Sequence, residues 1–462
     1  MHLSVGSFHR SHQAVYFDDL AGRGHRGWGV TGVGLRDRTM GDALVPQDGL
    51  YTVVERGAGT DHPRVVGVMG RYLFAPHDAR RVVAALADAR TRLVTLTVTG
   101  AGYHVDATTG VFDAGNEDLA ADLRAPAAPR SALGLLVEAL DARRRAHRAP
   151  FTVLSCDNMP GNGQTTRRAV VSFAHLRDAR LASWIEEYVD FPSSMVDRIT
   201  PRTTDADRRR LAREFGVLDR SPVMTEPFAD WVIEDAFCNE RPPLDEVGVR
   251  FVPDVGPYSL TKTRLLNASH LVLGALGRAA GHTTMFDVMS DPVLRAYADS
   301  LMGDEIAPSL PSAGMDLDAY RRSLLTRLAN PKMEDRLDRL CRGISLKLPR
   351  HVVPSVASAR AEARPHPLLT VAVAALCRHL RGTDDLGRRF DVDDPAASRL
   401  FALAVAGGTD PRPLLSETQL FGGLGEDEDF VRDVERALDA LQRDGTRTTV
   451  ARTLATAARV PT

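Results

Sequence analysis

The first half of the chain alternates short apolar runs typical of strands with longer stretches of helical periodicity. Strand candidates at 2–5, 29–32, 51–55, 92–98 and 151–156 are rich in Val, Thr and Leu and are bounded by Gly, Asp or Asn. Helix candidates lie between them, at 12–20, 78–88, 131–144 and 165–176. This order predicts an α/β domain with a largely parallel sheet, which the β-like segments 190–196 and 248–252 are expected to extend.

After about residue 255 the pattern changes, and apolar residues recur at helical spacing with no strand candidate. Helices are predicted at 260–273, 286–302, 317–329, 333–342, 355–363, 368–380, 395–406 and 429–443. The chain is therefore expected to hold two domains, an α/β domain over 1–255 and a mostly α-helical domain over 256–462.

Composition narrows the class of protein. The 462 residues are 44% hydrophobic and 26% charged, which excludes a fully disordered chain, a collagen and a simple coiled coil. With 58 basic and 60 acidic residues the net charge is −2, so we expect no nucleic-acid partner. The longest apolar run, 368–377, is too short to cross a bilayer, and no secretion signal is recognisable. We expect a cytoplasmic protein with no membrane partner.

Cysteine and lysine are both scarce. The four cysteines are widely spaced and form no CxxC pair, so neither a cysteine zinc site nor a redox dithiol is predicted. Of the 58 basic residues, 55 are arginine and three are lysine, namely Lys262, Lys332 and Lys347. Burial can tune the pKa of a lysine, whereas arginine stays charged, so each lysine is a candidate for a role that arginine cannot fill.

The turn after the first strand candidate is a candidate cofactor site. A strand, a turn of small residues and a helix start can bind a dinucleotide pyrophosphate through backbone N–H groups. The G-x-G-x-x-G pattern is incomplete, because Ser4 replaces the first glycine and Arg10 lies where a third small residue is usual. Serine is tolerated at this place if the backbone does not need a positive φ. An ordinary strand-to-helix turn is the alternative.

An acidic residue, Asp37, follows the second strand candidate. An acid at this place binds the adenosine ribose hydroxyls and favours NAD over NADP. Its neighbours Arg36 and Arg38 suit a 2′-phosphate instead, so both cofactors stay open. The alternative role for Asp37 is a helix cap.

Lys262, Asn267 and His270 form the strongest constellation. On an α-helix, Lys262 and His270 point about 80° apart, Asn267 and His270 about 60°, and Lys262 and Asn267 about 140°. A desolvated lysine suits general acid–base catalysis, and an asparagine amide can donate to a developing alkoxide. A solvated lysine and a core histidine are the plain alternative.

Asn158 follows the strand candidate 151–156, and ligands of open α/β sheets bind beyond the carboxyl ends of strands. It is a second candidate donor. A simple Asx turn among Asp157, Asn158 and Gly161 is the alternative.

Together these motifs resemble the polyol-specific long-chain dehydrogenases. The hallmark K-x4-N-x2-H of that family is met by Lys262, Asn267 and His270 without a spacing error. The likeness extends from residue 2 to the C-terminus and includes the segments 6–13, 28–36, 155–158, 191–201, 226–235 and 330–331.

The resemblance implies a Rossmann-type N-terminal domain with an extended sheet, a helical C-terminal domain and a site between them. It implies metal-independent hydride transfer between NAD and a sugar alcohol or ketose, with D-mannitol and D-fructose as the leading pair. It also implies a monomer with a small sugar or polyol as its partner.

The resemblance also assigns roles to single residues. Lys262 is the expected acid and base, Asn158 and Asn267 polarise the carbonyl, and His270 binds substrate and orients Lys262. The expected substrate contacts are Val196, Asp197, Arg339 and Lys347. The expected cofactor contacts are Gly6, Phe8, Arg10, Arg36, Asp37 and Thr99.

Three departures from the family pattern bear on function. Ser4 replaces a glycine, and acids of the family are replaced by Gly100 and Ser259. These changes keep open a catalytically silent relative that binds dinucleotide or sugar. Within the enzyme class, fructuronate reductase and other polyol or aldonate dehydrogenases are the alternatives.

Overall fold

The computed structural model describes residues 1–106, 109–311 and 314–459, and the chain divides into two compact units after Ser259. The strands all lie in the first unit: β1 (His2–Leu3), β2 (Val30–Gly34), β3 (Tyr51–Arg56), β4 (Asp61–Val66), β5 (Met69–Phe74), β6 (Leu93–Leu96), β7 (Thr152–Ser155), β8 (Ser194–Asp197), β9 (Val223–Thr225), β10 (Asp230–Glu234) and β11 (Arg250–Val252).

Five parallel strands form the main sheet in the order β5-β2-β1-β6-β7. In this order β1 lies at the centre, with β2 on one side and β6 on the other. Because all five run in the same direction, the segments that leave β1, β2, β6 and β7 emerge at the same edge of the sheet. This edge is called the carboxyl edge below.

The segments 190–196 and 248–252 do not extend the main sheet, so that prediction is wrong. β8 and β11 pair instead with β10, a strand that the sequence analysis missed, in a separate three-stranded sheet. Asp190 still touches the main sheet, since its carbonyl accepts the Val153 amide at 3.0 Å. β3 pairs with β4 and β9 in a third sheet, also outside the parallel one.

The first unit also contains α-helices. They are α1 (Ser7–Ser11), α2 (Gln13–Gly22), α3 (Thr39–Leu44), α4 (Ala75–Ala87), α5 (Glu117–Arg124), α6 (Ala132–Arg145), α7 (Asn162–Arg177), α8 (Ala179–Tyr188) and α9 (Asp205–Phe215). α6 packs between α4 and α7 and buries Leu135, Leu136 and Leu140 against Val94 and other apolar side chains of the sheet. This burial removes apolar surface from water and fixes the strands that carry the carboxyl edge.

The second unit, in its described part, contains helices and no strand. After α10 (Gly256–Thr261), which ends in this unit, they are α11 (Ala268–Ala279), α12 (Met285–Ser290), α13 (Pro292–Ser300), α14 (Leu317–Leu328), α15 (Leu337–Leu340), α16 (Ile344–His351), α17 (Val353–Ala361), α18 (Pro367–His379), α19 (Ala397–Gly407), α20 (Arg412–Leu415), α21 (Thr418–Phe421), α22 (Glu428–Arg443) and α23 (Thr446–Ala457). The largely apolar helices α11 and α18 pack together in its core.

Two π-helices interrupt this pattern, at Lys262–Asn267 and at Leu301–Ile306. A π-helix closes its hydrogen bonds between residues five apart and occurs often at functional sites. Among the described residues, no helix is both long and apolar enough to cross a membrane.

Candidate active site

The turn after β1 lies at the carboxyl edge and begins with a strained residue. Ser4 has a φ of +74°, in the left-handed region that favours glycine, so the condition under which a serine is tolerated here without strain is not met. The Ser4 amide donates to the Val33 carbonyl at 2.8 Å, and its carbonyl accepts the Thr97 hydroxyl at 2.9 Å. These bonds to β2 and to the end of β6 hold the conformation in place of a glycine.

The rest of this turn leaves its backbone open. A Cβ atom added to Gly6 would find no atom nearer than the Ser4 carbonyl oxygen at 4.0 Å. Phe8 stacks on His12 with ring centroids 5.0 Å apart. Arg10 is buried, its guanidinium donates to the Ser221 carbonyl and lies 5.3 Å from the Tyr51 ring, and burial lowers its pKa to about 10. Arg10 therefore has a structural contact, and its contact with a cofactor stays a prediction.

Arg36 and Asp37 follow β2 at the same edge, and both are exposed. The Asp37 carboxylate accepts the Thr39 amide at 3.0 Å, which makes the Asx turn that opens the next segment. One carboxylate oxygen of an exposed aspartate is enough for that bond, so the residue keeps acceptor capacity toward a ligand.

The loops after β6 and β7 are joined by a carboxylate that sequence reasoning missed. Asp157 accepts the Val98 amide at 3.0 Å, the Thr99 amide at 2.9 Å and the Tyr103 hydroxyl at 2.6 Å. Burial raises the pKa of this carboxyl, and these three donors oppose the rise. Thr99, held in this way, has a φ of +66° and a ψ of 162°, a conformation that is otherwise nearly restricted to glycine.

Asn158 follows this carboxylate directly and is exposed at the carboxyl edge. Its loop is fixed by buried Asn162, whose amide nitrogen donates to the carbonyls of Asp157 at 2.9 Å and Ser194 at 2.8 Å. The Asn162 side-chain oxygen accepts the Ser194 amide at 2.9 Å, so the same residue also ties the start of β8 to the loop after β7. Asp157 and Asn162 could have been identified from the sequence, because both lie close to Asn158 just after the end of a buried strand.

Val196 and Asp197 lie at the end of β8, where they pair with Trp231 and Asp230 of β10. Both side chains are buried. The adjacent Arg198 donates to the Glu55 carboxylate at 2.5 Å. Arg198 therefore has a carboxylate partner other than Asp197.

In the second unit, the hallmark lysine and asparagine lie on the first π-helix. The expected angle of about 140° between Lys262 and Asn267 is wrong, because it assumes α-helical geometry. Since the turns of a π-helix close between residues five apart, these two residues come to the same side. Lys262 is 7% exposed, so its amine is largely withdrawn from solvent. His270 follows on the first turn of α11.

A buried carboxylate links His270 with one of the predicted substrate residues. Asp335 Oδ2 lies 3.8 Å from His270 Nε2, and its other oxygen pairs with the Arg339 guanidinium. Asp335 is 7% exposed, whereas half of the Arg339 side chain is in solvent. No motif pointed to Asp335, which the fold alone brings between two predicted residues.

Lys347 and His351 lie on α16, which packs against this π-helix. Lys347 Nζ donates to the Leu340 carbonyl at 3.0 Å, and burial lowers its pKa. The pKa of His351 falls to about 4, first because it is buried and then because Lys347, Arg350 and Lys262 carry positive charge nearby. Within residues 1–106, 109–311 and 314–459, no group of three His, Cys, Asp or Glu side chains is arranged to hold a metal ion.

The comparisons with known proteins agree over nearly the whole chain. Residues 1–246 match the mannitol dehydrogenase Rossmann domain, and residues 254–442 match the mannitol dehydrogenase C-terminal domain. The chain is 43% identical to a mannitol 2-dehydrogenase of Aspergillus fumigatus over 456 residues, which cover 96% of this chain and 91% of the relative. A mannitol 2-dehydrogenase of Pyricularia oryzae is 43% identical over 460 residues, or 97% of this chain and 92% of the relative.

Solved structures show the same likeness. A ternary complex of Pseudomonas fluorescens mannitol 2-dehydrogenase with NAD and D-mannitol has a TM-score of 0.86 and 38% identity, covering 98% of this chain and 94% of that one. A substrate-free D-sorbitol dehydrogenase has a TM-score of 0.92 and 33% identity, covering 97% and 94%. The predicted fold class, a Rossmann-type domain followed by a helical domain, is confirmed. By sequence and by fold, this chain belongs to the mannitol dehydrogenase family.

Proposed function

We propose that this protein is an NAD-dependent polyol dehydrogenase that interconverts D-mannitol and D-fructose, with Lys262 as the general acid and base. The observation that carries the proposal is the π-helix, which turns a buried lysine and the Asn267 amide to the same side of one element. A general base must reach the hydroxyl proton while a donor binds the same oxygen, and this arrangement suits both tasks.

Each residue then has a step. In oxidation Lys262 Nζ takes the proton of the C2 hydroxyl, and the amides of Asn158 and Asn267 donate to the oxygen as it gains negative charge. In reduction Lys262 returns the proton. His270 binds substrate and orients Lys262, while Val196, Asp197, Arg339 and Lys347 contact the remainder of the sugar chain.

The carboxyl edge suits a dinucleotide. When bound there, NAD would supply the hydride acceptor for oxidation at C2, and NADH the hydride donor for reduction. The open backbone at Gly6 leaves room for a pyrophosphate beside the turn, and exposed Asp37 can accept the ribose hydroxyls. Gly6, Phe8, Arg10, Arg36, Asp37 and Thr99 are the proposed contacts.

The partners of Arg339 and Lys347 favour a neutral polyol over a hexuronate. A carboxylate substrate binds best to a fully charged cation with no other partner, yet Arg339 is paired with Asp335, and burial lowers the pKa of Lys347, whose Nζ donates to a backbone carbonyl. These groups can still bind hydroxyls. Fructuronate is therefore expected to be a poorer substrate than fructose.

The test is NADH oxidation by the purified protein with fructose, fructuronate, tagaturonate, xylulose and ribulose. We expect turnover of fructose, and Lys262→Met, which keeps the chain length of the side chain and removes the amine, should lower kcat by about 100-fold or more. NADH fluorescence on the same variant is the control for folding and cofactor binding.

If the protein prefers fructuronate, the substrate class is the hexuronates and not the neutral polyols. NADH binding without turnover of any ketose would instead favour the catalytically silent relative.

A further inference from the structure

A cavity of about 790 Å³ lies in the helical unit and is lined by none of the proposed catalytic or substrate residues. Its walls are the segment 360–371, which includes the start of α18, and side chains of α22 and α23. Val371, Ala437 and Ala440 give the cavity an apolar part. Its volume lies within the range of small-molecule sites, which combine such apolar surface with a few polar groups.

Two buried polar atoms of residues that line this cavity have no partner within the described part of the chain. They are Arg364 Nη2 and His366 Nε2. The other nitrogens of the Arg364 guanidinium are engaged, since Nε donates to the Glu362 carboxylate at 2.7 Å and Nη1 donates to the Glu305 carbonyl at 3.2 Å. Buried polar groups are almost always hydrogen-bonded, so these two atoms indicate a place for a bound molecule.

The imidazole of His366 determines which chemical group fits between these atoms. Its Nδ1 lies 2.8 Å from the Arg364 carbonyl oxygen, which can only accept, so Nδ1 carries the proton. In the neutral ring Nε2 is then an acceptor. One ligand group that satisfies both atoms must donate to His366 and accept from Arg364. A hydroxyl group does both, whereas an ionised carboxylate or phosphate oxygen only accepts.

The threonines of the cavity favour the same kind of ligand. Each of their hydroxyls already donates to the backbone carbonyl four residues earlier, so only its lone pairs remain for a ligand. These lone pairs need donors, which a molecule with several hydroxyl groups provides. The four residues are Thr370, Thr449, Thr453 and Thr456.

The positive charges around the cavity do not require an anion. Besides Arg364, which is paired with Glu362, three arginines line it, and each forms an ion pair of its own. The pairs are Arg360 with Asp427, Arg436 with Asp433, and Arg452 with Asp444. A guanidinium that already has a carboxylate partner gains little from a second anion.

We propose that this cavity binds an uncharged polyhydroxy compound, a sugar or a polyol, at a site separate from the proposed catalytic residues. One hydroxyl of the ligand donates to His366 Nε2 and accepts from Arg364 Nη2, and others donate to the threonine oxygens. The ligand is not turned over there, because no proposed catalytic residue lines the cavity. The inference does not depend on the proposed reaction.

The experiment measures hydrogen exchange of the full chain by mass spectrometry, with D-mannitol, D-fructose or inorganic phosphate added at increasing concentration. We expect either sugar compound to slow exchange in peptides that span 363–371 and 449–456. The concentration that gives half of the protection is the Kd at this site, and it is read separately from any change in peptides around Lys262.

Two variants test the geometry. His366→Asn keeps a donor for the Arg364 carbonyl at the N-cap of α18, where asparagine is favoured, and removes the Nε2 acceptor. It should raise the concentration for half-protection by about tenfold. Ala440→Trp fills the cavity from α22 and should abolish the protection. Exchange in the remaining peptides reports whether each variant is folded.

The matched control is His147→Asn, an exposed residue of the first unit whose positive φ suits asparagine. It should leave the protection unchanged. In all three variants the KM for fructose should stay within about twofold of the wild-type value, since the cavity is separate from the proposed catalytic residues.

Three results would overturn the site. They are the absence of protection by both sugar compounds in the wild type, an unchanged Kd in His366→Asn, and stronger protection by phosphate than by mannitol or fructose. If fructose is turned over without protection of these peptides, the inference fails and the proposed function stands. Protection without turnover of any ketose would have the opposite meaning.

Discussion

Ser4 shows how a serine can be held in a positive-φ conformation that glycine adopts more easily. A positive φ costs a non-glycine residue about 1–2 kcal/mol, and here the bonds to Val33 and Thr97 offset that cost. Those bonds use the backbone amide and carbonyl, so a glycine would keep them. The strain is therefore separable from the contacts that maintain the turn.

Ser4→Gly should raise the free energy of unfolding by about 0.5–1 kcal/mol, because relief of strain exceeds the extra freedom that glycine gives the unfolded chain. Urea unfolding measures this change, and the Kd of NADH should stay the same or fall. Ser7→Gly, at the first residue of α1 with no positive φ, is the control and should lower the unfolding free energy. A loss of stability in Ser4→Gly would show that the serine side chain itself stabilises the turn.

Asp335 is a second single residue with a testable role, because it lies between His270 and Arg339. We expect Asp335→Asn to raise the KM for fructose by about tenfold while kcat falls less, because Arg339 loses the charge that places it and His270 loses the negative charge beside its ring. Steady-state kinetics with the melting temperature recorded alongside measures this. Asp338→Asn, which removes an exposed partner of Arg336, is the matched control. Equal losses in the two variants would argue against a positioning role for Asp335.

At the scale of elements, the periodicity of apolar residues predicted most long helices and the central parallel strands. It failed where the pairing of strands decides which sheet a segment joins. β10 contains an apolar run, Trp231–Ile233, but its flanks are acidic, and only its partners β8 and β11 identify it as the centre of another sheet. The π-helix is equally invisible, because it differs from an α-helix in bonding residues five apart rather than four, and no residue type in this segment specifies that change. The spacing of Lys262 and Asn267 in the sequence therefore identified both residues, but it could not predict the directions in which they leave the helix axis.

The start of α18 depends on one buried acid at the end of the second π-helix. Both oxygens of Glu305 accept backbone amides, from Leu368 at 2.8 Å and Leu369 at 2.7 Å. Burial raises the pKa of this carboxyl to about 7, with Asp304 adding to the rise and the backbone bonds and Arg364 opposing it.

The folded state therefore holds this proton more tightly than the unfolded state, whose pKa is near 4.5. The contribution of Glu305 to stability is complete below pH 4.5 and is lost as the pH rises through about 7. We expect the unfolding free energy of the wild type to fall between pH 5 and 8, relative to Glu305→Gln, by on the order of 2–3 kcal/mol. Denaturant unfolding at several pH values measures the difference, and parallel pH dependences of the two proteins would contradict the assignment.

At the scale of the whole molecule, the division into an α/β half and a helical half could be predicted because each half has its own period of apolar residues. The residues that orient the site could not. Asp157, Asn162 and Asp335 make contacts across 32 to 65 residues of sequence, from Asn162 with Ser194 to Asp335 with His270, and no local pattern predicts such contacts. They become recognisable once the strands and helices lie in place.

The carboxylate of Asp157 has a consequence for how this protein can change. Since it holds the Thr99 loop and directly precedes Asn158, the loops that are proposed to serve cofactor and carbonyl share one anchor. Substitutions in the two loops should then show epistasis, because residues in one hydrogen-bond network do not contribute additively. A replacement tolerated at Thr99 in this background need not be tolerated in a relative with another anchor. Any evolutionary or engineered path to a new substrate would have to alter the two loops together.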